Sequence, residues 1–167
     1  LYCVDVLSAI HNNFWEYVGE DKKNKITYFH VKNFLLSDIL DNSIDFVFSY
    51  DVFCHISLSG QEEYLRNLYQ KCKRNALLFI MYADVDKFFK NEPEHIYIQE
   101  EEQKIYNDHK ILKHKLIEEC DGKSYPGRWY WVGIENFINL CKKYDYTILN
   151  EDLNIDKTNP ITLFSKK

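Results

Sequence analysis

A chain of 167 residues is long enough for one domain of ordinary size and leaves little room for a second. Twenty-one basic against 26 acidic residues give a net charge of −5 with no dense Lys/Arg stripe, which argues against partners held by nucleic-acid or lipid phosphates. No apolar run approaches the ~20 residues of a membrane span, so no membrane partner is expected. The opening Leu1-Tyr2-Cys3-Val4-Asp5 lacks the basic region and long apolar stretch of a secretion signal. Cysteines at 3, 54, 72, 120 and 141 form no CxxC pair and no metal-ligand spacing. They read as reduced thiols in a cytoplasmic protein, with no metal expected.

The elements follow in chain order. Leu1–Val6 is a nearly continuous apolar run, as in a strand buried on both faces of a parallel sheet. Ser8 is the expected cap of a helix carrying Ile10, Phe14, Trp15 and Val18 on one face, with Gly19 at its end. A second strand is expected over Ile26–Val31, ending at Lys32-Asn33, and a third over Ile44–Ser49 after an Asp41-Asn42-Ser43 turn. Ser59-Gly60-Gln61-Glu62 has the capping-box pattern, and Tyr64, Leu65, Leu68, Tyr69 and Cys72 give the next helix an apolar face. Ala76–Tyr82 is a fourth, wholly apolar strand. From Asp84 to Gly133 the alternation breaks, and the stretch is expected to be a mostly helical insertion, a candidate lid. Ile134, Phe137, Ile138, Cys141 and Tyr144 restore an amphipathic helix, and Tyr146–Leu149 and Ile161–Ser165 are expected to close the chain as an antiparallel hairpin. The alternation predicts a single α/β domain over 1–167, its sheet mostly parallel.

This order resembles a class I S-adenosylmethionine-dependent methyltransferase of small-molecule type entered at its second strand. Val4-Asp5-Val6-Leu7-Ser8 is similar to the family's second strand, which ends in an acidic residue. Ser43-Ile44-Asp45-Phe46-Val47-Phe48-Ser49 through His55-Ile56 resembles its fourth-strand motif, and Pro160–Lys167 its closing antiparallel strand. The resemblance implies a Rossmann-like fold whose first strand and glycine-rich loop lie upstream of Leu1. Residues 1–83 would then be the cofactor-binding part, 84–133 the insertion and 134–167 the C-terminal helix and hairpin. It further implies S-adenosylmethionine as cofactor and methyl transfer to a small-molecule acceptor, preferably a hydroxyl of a sugar or similar metabolite.

Candidate site residues follow from that placement. Asp5, with Val6 beside it, is the expected partner of the ribose hydroxyls, a bidentate task for a carboxylate at a strand end. Asn33 and Phe34 fall on the adenine side, where the amide oxygen accepts from an amine and a backbone N–H reaches a ring nitrogen. Ser49 and Tyr50 are expected beside the methionine portion. His55, with an ordinary pKa near 6.5, is the candidate base for a hydroxyl acceptor, and Asp51 the group that orients it. Asp84, Arg128, Trp129 and Trp131 are the expected acceptor contacts: a strand-end carboxylate, and a cation beside stacking rings. A nicotinamide-dependent dehydrogenase would use Asp5 equally well, and a catalytically silent methyltransferase-like subunit would keep the fold without the chemistry. The closing antiparallel strand argues against the dehydrogenase.

Overall fold

The computed structural model describes residues 1–31, 33–91 and 130–167. It contains two units, Leu1–Leu40 and Asp41–Lys167.

In the first unit, β1 (Tyr2–Asp5) pairs in parallel with β2 (Thr27–His30), Asp5 opposite His30. The expected burial of β1 on both faces is not found: Tyr2 and Val4 are exposed, and Cys3 and Asp5 half-buried. A two-stranded sheet with one short helix has too few side chains to cover two faces. That helix, α1 (Phe14–Val18), is also shorter than expected. Ser8 does not cap it; its Oγ accepts from the His11 N–H within a turn. Asn13 stands at the helix start in the left-handed region, at φ 52°, and Asn12 Oδ1 takes the Phe14 N–H. Asparagine side chains compete with helical hydrogen bonds in this way, and they delay the helix past Ile10, which is exposed. Gly19 ends α1 as expected, at φ 102°, where a Cβ would sit 2.6 Å from Asp21 Oδ1.

The second unit is built on a four-stranded sheet, ordered β3 (Ile44–Ser49), β4 (Cys72–Met81), β6 (Ile161–Lys166) and β5 (Tyr146–Asn150). β3 and β4 are parallel, whereas β6 runs antiparallel to both β4 and β5, as the expected hairpin requires. Between β3 and β4 lies α2 (Leu58–Lys71), capped by Ser57, whose Oγ accepts from the Gly60 N–H; Ser59, the expected cap, is already inside the helix. The capping box fails because Glu62, its other member, accepts from Lys143 Nζ and Tyr144 Oη instead, and Gln61 beside it is turned inward. Its Nε2 donates to the carbonyls of Phe53 at 2.7 Å and Ile56 at 3.0 Å, so the side chain holds the turn before the helix. Cys72 is the first residue of β4 and not part of a helix face.

α2 and α4 (Ile134–Lys143) bury one face of this sheet. Tyr146 Oη donates to the Leu65 carbonyl, and Phe137 of α4 stacks on Tyr82 and meets Phe164 edge-on. On the other face Phe46, Phe48 and Leu77 stay exposed, so burial in β4 alternates from Ala76 to Ile80 although that run is apolar throughout. The register Phe46–Leu77 and Phe48–Phe79 places these side chains side by side.

The chain leaves β4 through Tyr82-Ala83-Asp84 into α3 (Val85–Asn91) and returns at Tyr130. The rest of the expected insertion, Arg128 and Trp129 included, lies outside the described residues. Two hydrogen bonds tie the return to the core: the Tyr130 N–H to the Cys54 carbonyl at 2.7 Å and the Gly133 N–H to the Ala83 carbonyl at 3.0 Å. Asp84 completes the junction. It is buried, its Oδ1 accepts from the Lys87 N–H in the first turn of α3, and its Oδ2 accepts from the Ile134 N–H at the start of α4. One carboxylate therefore caps two helices, where both N–H groups and helix dipoles favour negative charge. Asp84→Ala is expected to cost about 1–4 kcal/mol in urea unfolding, two caps at the usual worth of each. Asp84→Asn should lose roughly half as much, because its amide keeps a single acceptor.

Candidate functional site

In the first unit Asp5 ends β1 with both carboxylate oxygens engaged. Oδ1 accepts from the Leu7 N–H at 2.8 Å and Oδ2 from Asn12 Nδ2 at 3.1 Å. The same Asn12 amide donates to Tyr28 Oη at 2.8 Å, and that hydroxyl donates to the Leu7 carbonyl at 2.7 Å. Burial, reinforced by the charge of Asp5, holds the Tyr28 phenol above its ordinary pKa, so it remains a donor. This ring of bonds fixes the orientation of the Asp5 carboxylate, and each oxygen keeps a further lone pair for a ligand. The Val6 carbonyl lies 3.1 Å from His30 Nε2 on the neighbouring strand.

At the end of β2, Asn33 Oδ1 accepts from the Leu35 N–H, so the side chain closes a turn. Asn33 and the buried Leu36 line a hollow of about 210 Å³ with Phe29, His30, Val31 and Ile39. That is smaller than the ~300–1,000 Å³ of a complete small-molecule pocket, and suits one ring at most. Phe34 is half-buried beside it in sequence.

In the second unit, β3 ends at Ser49, whose Oγ is buried with no hydrogen-bond partner among the described residues. An orphaned buried hydroxyl costs about 1–3 kcal/mol, so its place at a strand's carboxyl end marks where a ligand atom would be stabilising. Tyr50 Oη donates to Asp156 Oδ2 at 2.7 Å and ties β3 to the loop before β6. Asp51 follows in the left-handed region, at φ 56°. Its Oδ1 accepts from Cys54 Sγ at 3.4 Å and lies 3.9 Å from His55 Nε2, a separation that pairs charges without being a hydrogen bond. In the sequence Cys54 is one scattered thiol among five. Its place three residues after Asp51 and next to His55 was the available signal, and only the short 3₁₀ turn Phe53–His55 brings the three together. Burial first, and the charge of Asp51 second, push the Cys54 thiol up to about 12.

The expected acceptor contacts are divided. Asp84 lines an open groove of about 780 Å³ between α3, α4 and the 151–157 loop, but its carboxylate is spent on the two helix starts. A structural ion pair also edges this groove: Lys87 Nζ donates to Asp152 Oδ2 at 2.6 Å and to the Asn159 carbonyl at 3.1 Å. Trp131 is buried against Phe88 and Phe89 in the cluster that holds Met81, Val85 and Cys54, and it is a core residue. Arg128 and Trp129 lie outside the described residues.

No family model matches this chain, and no curated protein matches it in sequence. Solved structures do match in shape. The PH0226 protein of Pyrococcus horikoshii superposes with a TM-score of 0.67 at 14% identity, over 100% of this chain and 71% of that one. A SAM-dependent methyltransferase of Methanosarcina mazei gives 0.61 at 12% identity, over 99% of this chain and 81% of the other. The magnesium protoporphyrin IX methyltransferase of Synechocystis, solved with bound SAH, gives 0.56 at 13% identity over 99% of this chain and 63% of its own. The fold is therefore the α/β Rossmann-like fold of class I methyltransferases, with mixed parallel and antiparallel strands.

The Tyr50–Asp156 contact is testable by acid titration. Burial raises the Asp156 carboxyl, but bonds from Tyr50, the Asn159 and Thr158 N–H groups and the Thr158 hydroxyl outweigh it and hold the pKa below the ordinary value. A depressed carboxyl stabilises the fold above its unfolded value, about 3.9, and loses that contribution as pH falls through the folded pKa. In Tyr50→Phe the Asp156 pKa is expected to rise toward 3.9, and this acid-labile share of stability to shrink. Carboxyl-carbon NMR titration of both proteins measures the shift.

Proposed function

We propose that this protein transfers a methyl group from S-adenosylmethionine to a small-molecule acceptor, preferably a hydroxyl of a sugar or similar metabolite. The observation that carries the reading is Asp5, an oriented carboxylate at the carboxyl end of a parallel strand with acceptor capacity to spare. In α/β folds, ligands lie outside the carboxyl ends of the strands, and an acidic residue there binds ribose hydroxyls. The likeness in fold to methyltransferases supports the choice of cofactor. The antiparallel β6 favours it over a dinucleotide-binding fold.

Each unit then has its own task. In the first, Asp5 receives the two ribose hydroxyls, with the Val6 backbone beside them, and the hollow at Asn33 and Phe34 takes the adenine edge. In the second, Ser49 Oγ, which has no hydrogen-bond partner among the described residues, marks a strand end where a ligand atom would be stabilising. The sulfonium already carries a good leaving group, so the chain's work is alignment of an in-line displacement and removal of the acceptor's proton. His55 Nε2 takes that proton, and the Asp51 carboxylate 3.9 Å away stabilises the imidazolium that results. The acceptor contacts assigned to Arg128 and Trp129 belong to this reading, whereas Asp84 and Trp131 serve the scaffold.

Asp5→Ala is expected to weaken S-adenosylmethionine binding by about 1–3 kcal/mol, the range of charge-assisted hydrogen bonds. Isothermal calorimetry that returns an unchanged affinity removes Asp5 from the site. His55→Ala should lower turnover by ~100-fold or more while cofactor affinity stays constant. Equal turnover by wild type and variant assigns the proton to another group.

A further inference from the structure

We propose that Asp51, Cys54 and His55 form a zinc(II) site with its fourth coordination position open. One oxygen, one sulfur and one nitrogen lie within 4.8 Å of one another on a single turn of chain. Tetrahedral zinc, with bonds of about 2.0–2.3 Å, needs ligand atoms roughly 3.3–3.6 Å apart. The Asp51 oxygen and Cys54 sulfur already meet that spacing at 3.4 Å. The remaining pairs close by about 1 Å, within reach of the partly exposed Asp51 and His55 side chains by rotation about their χ angles.

The scaffold suits the division of labour. Cys54 is buried and immobile: its carbonyl accepts from Tyr130, the preceding carbonyl accepts from Gln61, and its side chain sits in the Met81–Val85–Trp131 cluster. Asp51 and His55 flank it at the surface and supply the adaptable arms. Three ligands from protein with a fourth place left for water are the pattern of open zinc sites. The donor set also discriminates, because a thiolate with an imidazole selects zinc over magnesium or calcium, which take oxygen. Thiolate and carboxylate together neutralise the dication, so no net charge is left beside the apolar cluster. Binding breaks the Cys54 S–H bond, forms the Zn–S bond and releases one proton to solvent.

The site shares Asp51 and His55 with the proposed methyl transfer, but metal binding does not depend on that function. One consequence alone rests on the functional reading above: zinc and an acceptor proton compete for the same His55 nitrogen, so the ion acts on the proposed transfer as an inhibitor.

Cobalt(II) titration of the purified, fully reduced protein, followed by displacement with zinc chloride, tests the site. Stoichiometric binding with a thiolate-to-cobalt charge-transfer band, lost in Cys54→Ser, is the expected result. Removing an outer-sphere partner typically costs 10–100-fold in metal affinity, so His55→Ala and Asp51→Asn, both at surface positions, should each weaken zinc by at least about tenfold while the band persists. Absence of the band, its survival in Cys54→Ser, or unchanged affinity in both surface variants overturns the proposal. S-adenosylmethionine calorimetry on the same metal-free sample reports on the cofactor separately, so either proposal can fail without the other.

Discussion

The second unit depends on a buried carboxylate at the point where the chain leaves its central strand. Asp84 accepts from the first turns of α3 and α4 at once, although these helices are separated by more than forty residues of chain. A helix start buried without an acceptor leaves orphaned N–H groups, each costing more than the bond it lacks would have contributed. One side chain removes that cost at both helices. It also sets where α4 begins, and so where Phe137 and Cys141 meet the sheet. An acid at a strand's end is commonly read as a ligand contact; here both of its oxygens are committed to backbone.

A comparable economy of polar groups shapes the turn after β3. Gln61 reaches back from α2 to hold the Phe53 and Ile56 carbonyls, and Tyr130 reaches across from the returning chain to hold that of Cys54. The backbone of the turn is thereby pinned from two directions, while Asp51 and His55 keep side chains that can turn toward a ligand. Functional groups on a supported turn combine position with adaptability, which is what proton transfer and metal binding each require. In the first unit the ring Asp5–Asn12–Tyr28–Leu7 does the equivalent work for a single carboxylate. Its orientation is set before any ligand arrives.

Local signals in the sequence were sufficient for the elements themselves. The period-two and continuous apolar runs located β3 to the residue, and β2, β4, β5 and β6 to within a few residues, because strand formation here follows the density of apolar and β-branched side chains. Gly19 marked a helix end and Asn42 a turn for equally local reasons, since each occupies a left-handed backbone conformation. The order of strands and helices was enough to anticipate the α/β class, and Asp5 could be singled out as an acid at a strand end.

What only the tertiary structure decided was the use to which each polar side chain is put. Ser57 and not Ser59 caps α2 because Glu62, the expected capping partner, is taken by Lys143 and Tyr144 from the far end of α4, while Gln61 beside it holds the Phe53 and Ile56 carbonyls. Asp84 is a clamp because α4 returns to it from fifty residues away, and Trp131 is core because Phe88 and Phe89 fold over it. Cys54 joins Asp51 and His55 because Asp51 turns the chain at φ 56° into the 3₁₀ turn Phe53–His55, which brings the three side chains within 4.8 Å. Pattern and propensity act over a few residues and determine where strands and helices form. Whether a carboxylate, amide or thiol meets backbone, core or ligand depends on partners brought in from elsewhere in the chain, and those become neighbours only when the chain has folded.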